Sequence, residues 1–344
     1  RYYRKHFKGK TVLCNCDDPF ESNFFKYFVL NFNRLGLKKL IATCYATSPI
    51  AGKQLQYYEQ SDGQLSFSFG EKCGESADSK RPYKAVVTKV YDVTGDGGID
   101  MVDVAELFKA GDNALTQLNG DGDFRSPECV NLLDEADIVV TNPPFSLFRE
   151  FVSLIVEHQK NFVIIGNQNA ISYEETFSLM KNNKMWIGAS IHSGDRAFFV
   201  PDDYPLEETG RKYIRVKGVR WFTNLDIKQR HEEMILVRRY IPDEYPKYVN
   251  YNAIEVAKTS DIPCDYAGEM GVPITFMDKY NPDQFEIVGI SRELVRTLSD
   301  DVRKNGAYPQ IGRFYLDTGE AKYKKVYERL VIRNKHPEVP REAQ

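Results

Sequence analysis

The chain predicts an α/β fold in which buried parallel strands alternate with crossover helices. Three observations carry this. Short apolar runs recur along the first two thirds of the chain, amphipathic stretches of helical spacing separate them, and the opening order is strand, helix, strand. Such β-α-β units imply right-handed crossovers and a doubly wound sheet.

The elements follow in order. Residues 10–16, "KTVLCNC", form a strand that ends in Asp17-Asp18-Pro19, and residues 21–36, "ESNFFKYFVLNFNRLG", a helix closed by Gly36. "KKLIATCY" (38–45) is a second strand. Residues 46–84, rich in Ser, Gly and Gln, read as a long loop or hairpin insertion. "YKAVVTKVYDV" (83–93) predicts a strand, "VDVAELFKAG" (102–111) a short helix, "ADIVVTN" (136–142) a buried strand and "SLFREFVSLIVEH" (146–158) a helix. "KNFVIIGN" (160–167), "SYEETFSLMKNN" (172–183) and "KMWIGAS" (184–190) continue the alternation. "IRVKGVRWFTNL" (214–225) and "EEMILVRRY" (232–240) read as late, antiparallel strands. Beyond about residue 240 the pattern becomes Tyr- and Pro-rich, with "FEIVGI" (285–290) its clearest strand. The expected domains are therefore 1–240, with an insertion about 46–120, and 241–344.

Bulk properties narrow the class. Hydrophobic content of 42% suits a buried core. No apolar run reaches the roughly 18 residues of a membrane span, and no signal-peptide pattern opens the chain. A cytoplasmic protein with no membrane partner is expected, and the start at Arg1 suggests an upstream stretch beyond this sequence. Six cysteines include no C-x-x-C, and Cys14-x-Cys16 is a poor zinc site, so reduced thiols are expected. Net charge is −3, but its distribution is uneven. Residues 92–137 hold 12 acids against 2 bases, residues 211–230 hold 7 bases against 1 acid, and residues 303–335 hold 9 bases against 3 acids. Such basic segments can meet phosphates, or can be ordinary solvated surface.

The turn Asn142-Pro143-Pro144-Phe145 directly follows the Ile138-Val139-Val140 run. An exocyclic amine on an aromatic ring is a poor nucleophile because its lone pair is delocalised. Two acceptors on its two N–H groups favour a pyramidal nitrogen with a localised pair. The Asn142 side-chain oxygen offers one acceptor and the Pro143 carbonyl the other, held by proline's fixed φ. Phe145 offers a flat stacking face. The bland alternative is a strand-to-helix stop with Pro144 at the first helical position.

An Asn-Pro-Pro-Phe turn after a buried strand resembles the catalytic motif of amino-methyltransferases that use S-adenosylmethionine. Further segments resemble, in order, the EcoRI-type adenine-specific DNA methyltransferase family: "YYRKHFKGKTVLCNCDDP", "NFNRLGLKKLIATCY", "GDGDFRS", "ADIVVTNPPFSLFREF", "NFVIIGNQNAI", "WFTNL" and "GEMGVPITFMDKYNPDQFEIVGI". The resemblance covers most of residues 2–290 and is weakest in the middle insert. It implies a Rossmann-like methyltransferase sheet with a C-terminal target-recognition region. The implied reaction is methyl transfer to the N6 amine of an adenine flipped out of duplex DNA, in a restriction-modification setting.

Roles follow from the same resemblance. Asn142, Pro143, Pro144 and Phe145 hold the target base, and Trp221 or Phe222 clamps it from the other side. Cys16, Asp17 and Asp18 match the first cofactor loop, although the common F-x-G-x-G pattern is missing there. Cys44 stands, with Tyr45, where the acid for the donor's ribose is usual. Asp123 accepts from the donor's adenine amine, with Phe124 stacked on that ring and Asn142 also near the donor. The family's cofactor-contacting segment upstream of "YYRKHFKGK" lies outside this sequence. No metal is needed for the chemistry. A cognate restriction endonuclease acting on the same site without direct contact, and a monomeric state, are the remaining expectations.

Other readings compete. RNA adenine-N6 and protein glutamine methyltransferases share the turn, and a DNA-binding module with a dead cofactor site is the non-enzymatic alternative. "DVTGDGGIDMVD" (92–103) is a weak candidate calcium loop through Asp92, Asp96, Asp100 and Asp103, with Thr94 where an acid is usual. "PDDYPLEETGRK" (201–212) has faint nuclease-like acid and lysine spacing.

Overall fold

Seven strands of the first compact unit build one mixed sheet: β1 (Thr11–Cys14), β2 (Lys39–Thr43), β3 (Tyr83–Val87), β4 (Ala114–Gln117), β5 (Ile138–Thr141), β6 (Asn161–Asn167) and β7 (Val219–Thr223). Their order is β4-β3-β2-β1-β5-β6-β7. The central pairs β2–β1, β1–β5 and β5–β6 are parallel, and β3, β4 and β7 pair antiparallel at the two sides. The computed structural model describes residues 2–17, 22–44, 53–59, 65–71, 82–190, 195–199, 213–320 and 322–339. The nuclease-like stretch 201–212, Asp18 and Tyr45 lie outside the described residues.

Every residue of β1 and of β5 is buried, as expected of strands covered on both faces. Helix α1 (Asn23–Leu30) buries Phe25, Phe28 and Val29, which recur at helical spacing. Ser22 caps it by accepting from the amides of Phe24 and Phe25. The expected 21–36 helix breaks at Asn31 into α1 and a short helical turn, Phe32–Leu35, and helices α2 (Met101–Lys109), α3 (Pro127–Glu135) and α4 (Phe148–Glu157) follow in the same unit. Helices lie on both faces of the sheet. Trp221 meets Phe24 of α1, while its neighbour Phe222 meets Phe148 of α4, and successive strand residues point to opposite faces.

Two compact units divide the chain: Arg1–Gln168 with Ser193–Leu225, and Asn169–His192 with Asp226–Gln344. The second has its own sheet of β8 (Ile254–Glu255), β9 (Met270–Pro273), β10 (Phe285–Ile290) and β11 (Arg329–Asn334), in the order β8-β9-β11-β10. A bulge at Val288 shifts the β10–β11 register. Arg329 and Glu255 form a bidentate pair at 2.6–3.1 Å, both largely buried, and Tyr248 donates its hydroxyl to the same carboxylate.

The 46–84 insertion contains an antiparallel hairpin, Lys53–Glu59 with Leu65–Glu71. The expected single strand at 214–225 is two. Gly218, at φ +69°, breaks it into Tyr213–Lys217, paired with Asp195–Phe199, and β7. The expected strand at 232–240 is not one. The backbone of Met234 is satisfied by the Gln284 side chain, which accepts from its N–H and donates to its carbonyl, both at 2.8 Å. Among the described residues no helix is long and apolar enough to cross a membrane.

Candidate active site

The chain leaves β1 for β2 on one side and later returns to β5 on the other, so the strand order reverses between β1 and β5. Ligands of open α/β sheets settle beyond the carboxyl ends at such a point. Asn15-Cys16-Asp17 leaves β1 there, and Asn142-Pro143-Pro144-Phe145 leaves β5. Cys16 takes φ +65°, a left-handed turn that most side chains avoid. Thr141 is fully buried, and its hydroxyl donates to Asp17 Oδ2 at 2.5 Å and also lies against the Asn15 carbonyl. Ser22, the cap of α1, holds the other Asp17 oxygen at 3.0 Å. Asp17 is 7% exposed, so its carboxylate organises the loop from within. Burial, with Asp17 nearby, pushes the Cys14 thiol well above its ordinary range, which keeps it neutral.

The turn after β5 is rigid but open. Pro143 is buried, whereas Asn142 is exposed and Phe145 is 38% exposed. The Pro144 carbonyl accepts from Leu147 N–H at 3.0 Å and starts the 3-10 turn Phe145–Leu147 that leads into α4. Among the described residues, neither the Asn142 side chain nor the Pro143 carbonyl takes part in a hydrogen bond. Two unengaged acceptors beside an open aromatic face can receive a planar amine.

A second cluster stands at the end of β2. Gly122, at φ +80°, brings the 120–126 turn onto the Cys44 carbonyl so closely that a Cβ would lie 2.2 Å from that oxygen. Cys44 is buried and its sulfur accepts from Tyr83 N–H at 3.3 Å. Asp123 accepts from Arg125 Nε at 2.9 Å, Nη2 at 2.7 Å and the backbone N–H at 2.8 Å. Those bonds hold its carboxyl below the usual range. A carboxylate offers about four acceptor positions, so one remains for a ligand donor. Arg125 also reaches Glu150 of α4 at 2.6 Å, tying this turn to the helix behind Phe145.

A family model described as the adenine-specific methyltransferase EcoRI matches residues 1–335. The chain belongs to the EcoRI adenine-specific methyltransferase family. Among relatives, it is 44% identical to "Type II methyltransferase M.EcoRI" of Escherichia coli, over 84% of this chain and 81% of that one. It is 34% identical to "Type II methyltransferase M.MpnI" of Mycoplasma pneumoniae, over 97% and 90%. A Mycoplasma genitalium relative, "Type II methyltransferase M.MgeORF184P", is also 34% identical, over 96% and 90%. No solved structure matches the chain.

For this adenine-specific methyltransferase, the structure brings Cys16, Asp17, Cys44, Asp123, Asn142, Pro143, Pro144 and Phe145 to the carboxyl edge of β2, β1 and β5 or the turns above it. Phe124 sits in the same turn as Asp123, but its ring is turned into the core. Its ring is 1% exposed and packs edge-on to Phe151 at 5.1 Å. Trp221 and Phe222 pair with Ile165 and Ile164, and Ile164 pairs with Thr141, so both stand level with the carboxyl end of β5. Phe222 is fully buried, and Trp221 is half-buried against Phe24. In the 92–103 loop the carboxylates serve the chain itself. Asp92 accepts from Gly95 and Gly97 amides, and Asp100 and Asp103 form the capping box of α2. Among the described residues no cluster of acids, His or Cys is arranged to hold a metal.

Five residues at the site escape a reading of the sequence: Asn15, Ser22, Gly122, Arg125 and Thr141. Gly122 alone left a signal, a glycine between two aspartates in a turn. The Asn15 side-chain oxygen is buried with no hydrogen-bond partner. An orphan acceptor beside a left-handed loop, and a carboxylate with one open position, suit the amine and hydroxyl donors of a nucleoside-bearing methyl donor.

Proposed function

We propose that this methyltransferase transfers a methyl group from S-adenosylmethionine to the N6 amine of an adenine in duplex DNA, as a site-specific enzyme of the restriction-modification type. The observation that carries the proposal is the pair of unengaged acceptors, Asn142 and the Pro143 carbonyl, beside the half-open Phe145 ring at the sheet's reversal point. We read the first unit's sheet as the Rossmann-like methyltransferase core, and residues 241–344 as the target-recognition region.

The donor, when bound, supplies an electrophilic methyl on a sulfonium that is already a good leaving group. The chain's part is placement. Asn142 Oδ1 and the Pro143 carbonyl accept hydrogen bonds from the two amine N–H groups and turn the nitrogen lone pair toward the methyl. Phe145 stacks on the base once it has left the helix. Pro143 and Pro144 fix the backbone, so little orientation is lost at the moment of attack. The amine proton becomes acidic only after transfer, so no strong base is required. Phe222 is fully buried, which leaves Phe145 and the half-buried Trp221, level with the end of β5, as stacking faces. No metal enters the reaction, a monomer suffices for one strand at a time, and a cognate endonuclease would share the site without touching this chain.

RNA adenine and protein glutamine substrates fit the same turn. The names of the relatives and the basic 303–335 stretch favour DNA. Tritium from labelled S-adenosylmethionine should enter duplex plasmid DNA, and not RNA or protein. Label in RNA or protein alone would replace the proposal. Bound but unlabelled duplex DNA would make the chain a binding module.

A further inference from the structure

We infer that Thr141 is a positioning residue that couples the methyl-donor loop to the target-amine turn through Asp17. Thr141 is the last residue of β5 and the covalent neighbour of Asn142, while Asp17 lies in the loop after β1. The two are 124 residues apart in sequence and 2.5 Å apart in space. Thr141, Asn15 and Asp17 are all at least nine-tenths buried, so water does not compete for this contact.

The arrangement is more than a strut. A hydroxyl has one proton, and this one faces two acceptors, Asp17 Oδ2 and the Asn15 carbonyl. It serves one at a time. A ligand donor that takes one acceptor leaves the Thr141 proton to the other, and the rotation is felt at the residue that carries Asn142. Ser22 extends the path, because it holds Asp17 Oδ1 at 3.0 Å and caps α1. Loading of the loop and orientation of the amine acceptor therefore belong to one hydrogen-bonded unit. Asp17 acts through Thr141, which explains why a buried carboxylate stands in a cofactor loop. This rests on the methyl-transfer reading above.

Three single variants, one double variant and two readouts test it. The single variants are Thr141→Val, which keeps shape and removes the hydroxyl, Thr141→Ser, which keeps the hydroxyl and removes the methyl, and Asp17→Asn. The readouts are the Kd for S-adenosylhomocysteine by calorimetry, without DNA, and kcat for label transfer to plasmid DNA. A buried hydrogen bond to a charged group predicts about tenfold or greater loss in both for Thr141→Val. Thr141→Ser should stay within about twofold of the parent even if it melts earlier, since packing differs and the hydroxyl does not. The Thr141→Val/Asp17→Asn double variant should be no worse than Thr141→Val alone, as residues acting as a unit are non-additive. Parent-like Kd and kcat in Thr141→Val, equal losses in Val and Ser, or additive losses in the double variant would overturn the coupling. Should the valine variant not fold, the serine variant decides alone: parent-like values support the hydroxyl, and a tenfold loss overturns it. If the parent chain itself labels no duplex DNA, the methyl-transfer reading fails instead, and S-adenosylhomocysteine binding still reports on the Thr141–Asp17 contact.

Discussion

Asn142 joins exposure to the lack of any hydrogen bond among the described residues, in a turn that two prolines hold still. Removing its amide by Asn142→Ala takes away one of two acceptors and disturbs no internal bond. Label transfer to duplex DNA should fall by roughly 10²- to 10³-fold, the scale of one lost preorganised contact. Retention of DNA on a filter should be unchanged. Normal turnover would remove Asn142 from the chemistry. Gly122 tests the other cluster. A Cβ there meets backbone, the Cys44 carbonyl, which cannot step aside, and the φ of +80° alone costs an L-residue about 1–2 kcal/mol. Gly122→Ala should lower the melting temperature and weaken S-adenosylhomocysteine, while Gly120→Ala, with open space around its Cβ, should do neither. The Asn-Pro-Pro-Phe turn was legible in the sequence because proline acts locally: four consecutive residues fix its backbone. Thr141 was not, because its meaning lies in an aspartate 124 positions away. The burial of Phe124 and Phe222 was not legible for a related reason, since a ring's exposure depends on distant neighbours, and both are in the core.

At the scale of elements, periodicity found β1, β2, β5, β6 and their helices, because a strand buried on both faces or a helix with one apolar stripe writes its period into its own residues. The segment 232–240 has the same apolar look, yet Ile235 is 86% and Val237 76% exposed, and a glutamine side chain takes the place of a neighbouring strand. β4 and α3 were passed over, β4 because its residues alternate only between exposed and half-buried. The 3-10 turn Lys228–His231 offers a pH test. His231 places Nδ1 at 2.5 Å from Asp283 and Nε2 at 2.9 Å from Asp226, so both ring nitrogens donate only in the charged form. The bonds to Asp283 and then Asp226 raise its pKa above the ordinary 6.5. A raised folded pKa means the charged ring stabilises the fold fully below about 6.5, and that stabilisation is lost as pH climbs through the raised value. The melting-temperature gap between parent and His231→Gln should therefore be largest at mildly acid pH and close steadily above 6.5. A gap that widens with pH would show that the neutral ring is the stabilising form.

For the whole molecule, the uneven charge was plain from composition, but which charges are available to a partner was not. Of the nine bases in 303–335, Arg313 pairs with Glu328, Arg329 with Glu255, Arg333 with Glu269 and Glu286, and Lys322 with Glu320. Lys325 donates to Gln310 and Lys335 to the Pro282 carbonyl. Arg303, Lys304 and Lys324 are exposed and have no acid partner among the described residues. If residues 241–344 meet DNA, these three carry the phosphate contacts, and each contact released flattens the slope of log K against log salt by about 0.9. Changing all three to Gln should reduce that slope by up to about 2.7 while leaving the melting temperature within about a degree, since exposed charges far from a partner contribute little to stability. Arg329→Gln should do the reverse. It strands the buried Glu255 carboxylate, a loss on the order of 3–5 kcal/mol, and lowers the melting temperature with no change of slope in the protein that remains folded. A triple variant with an unaltered salt slope and an unaltered melting temperature would move the phosphate contacts to another face, and the basic 211–230 segment, with 7 bases against 1 acid, would be the next to change.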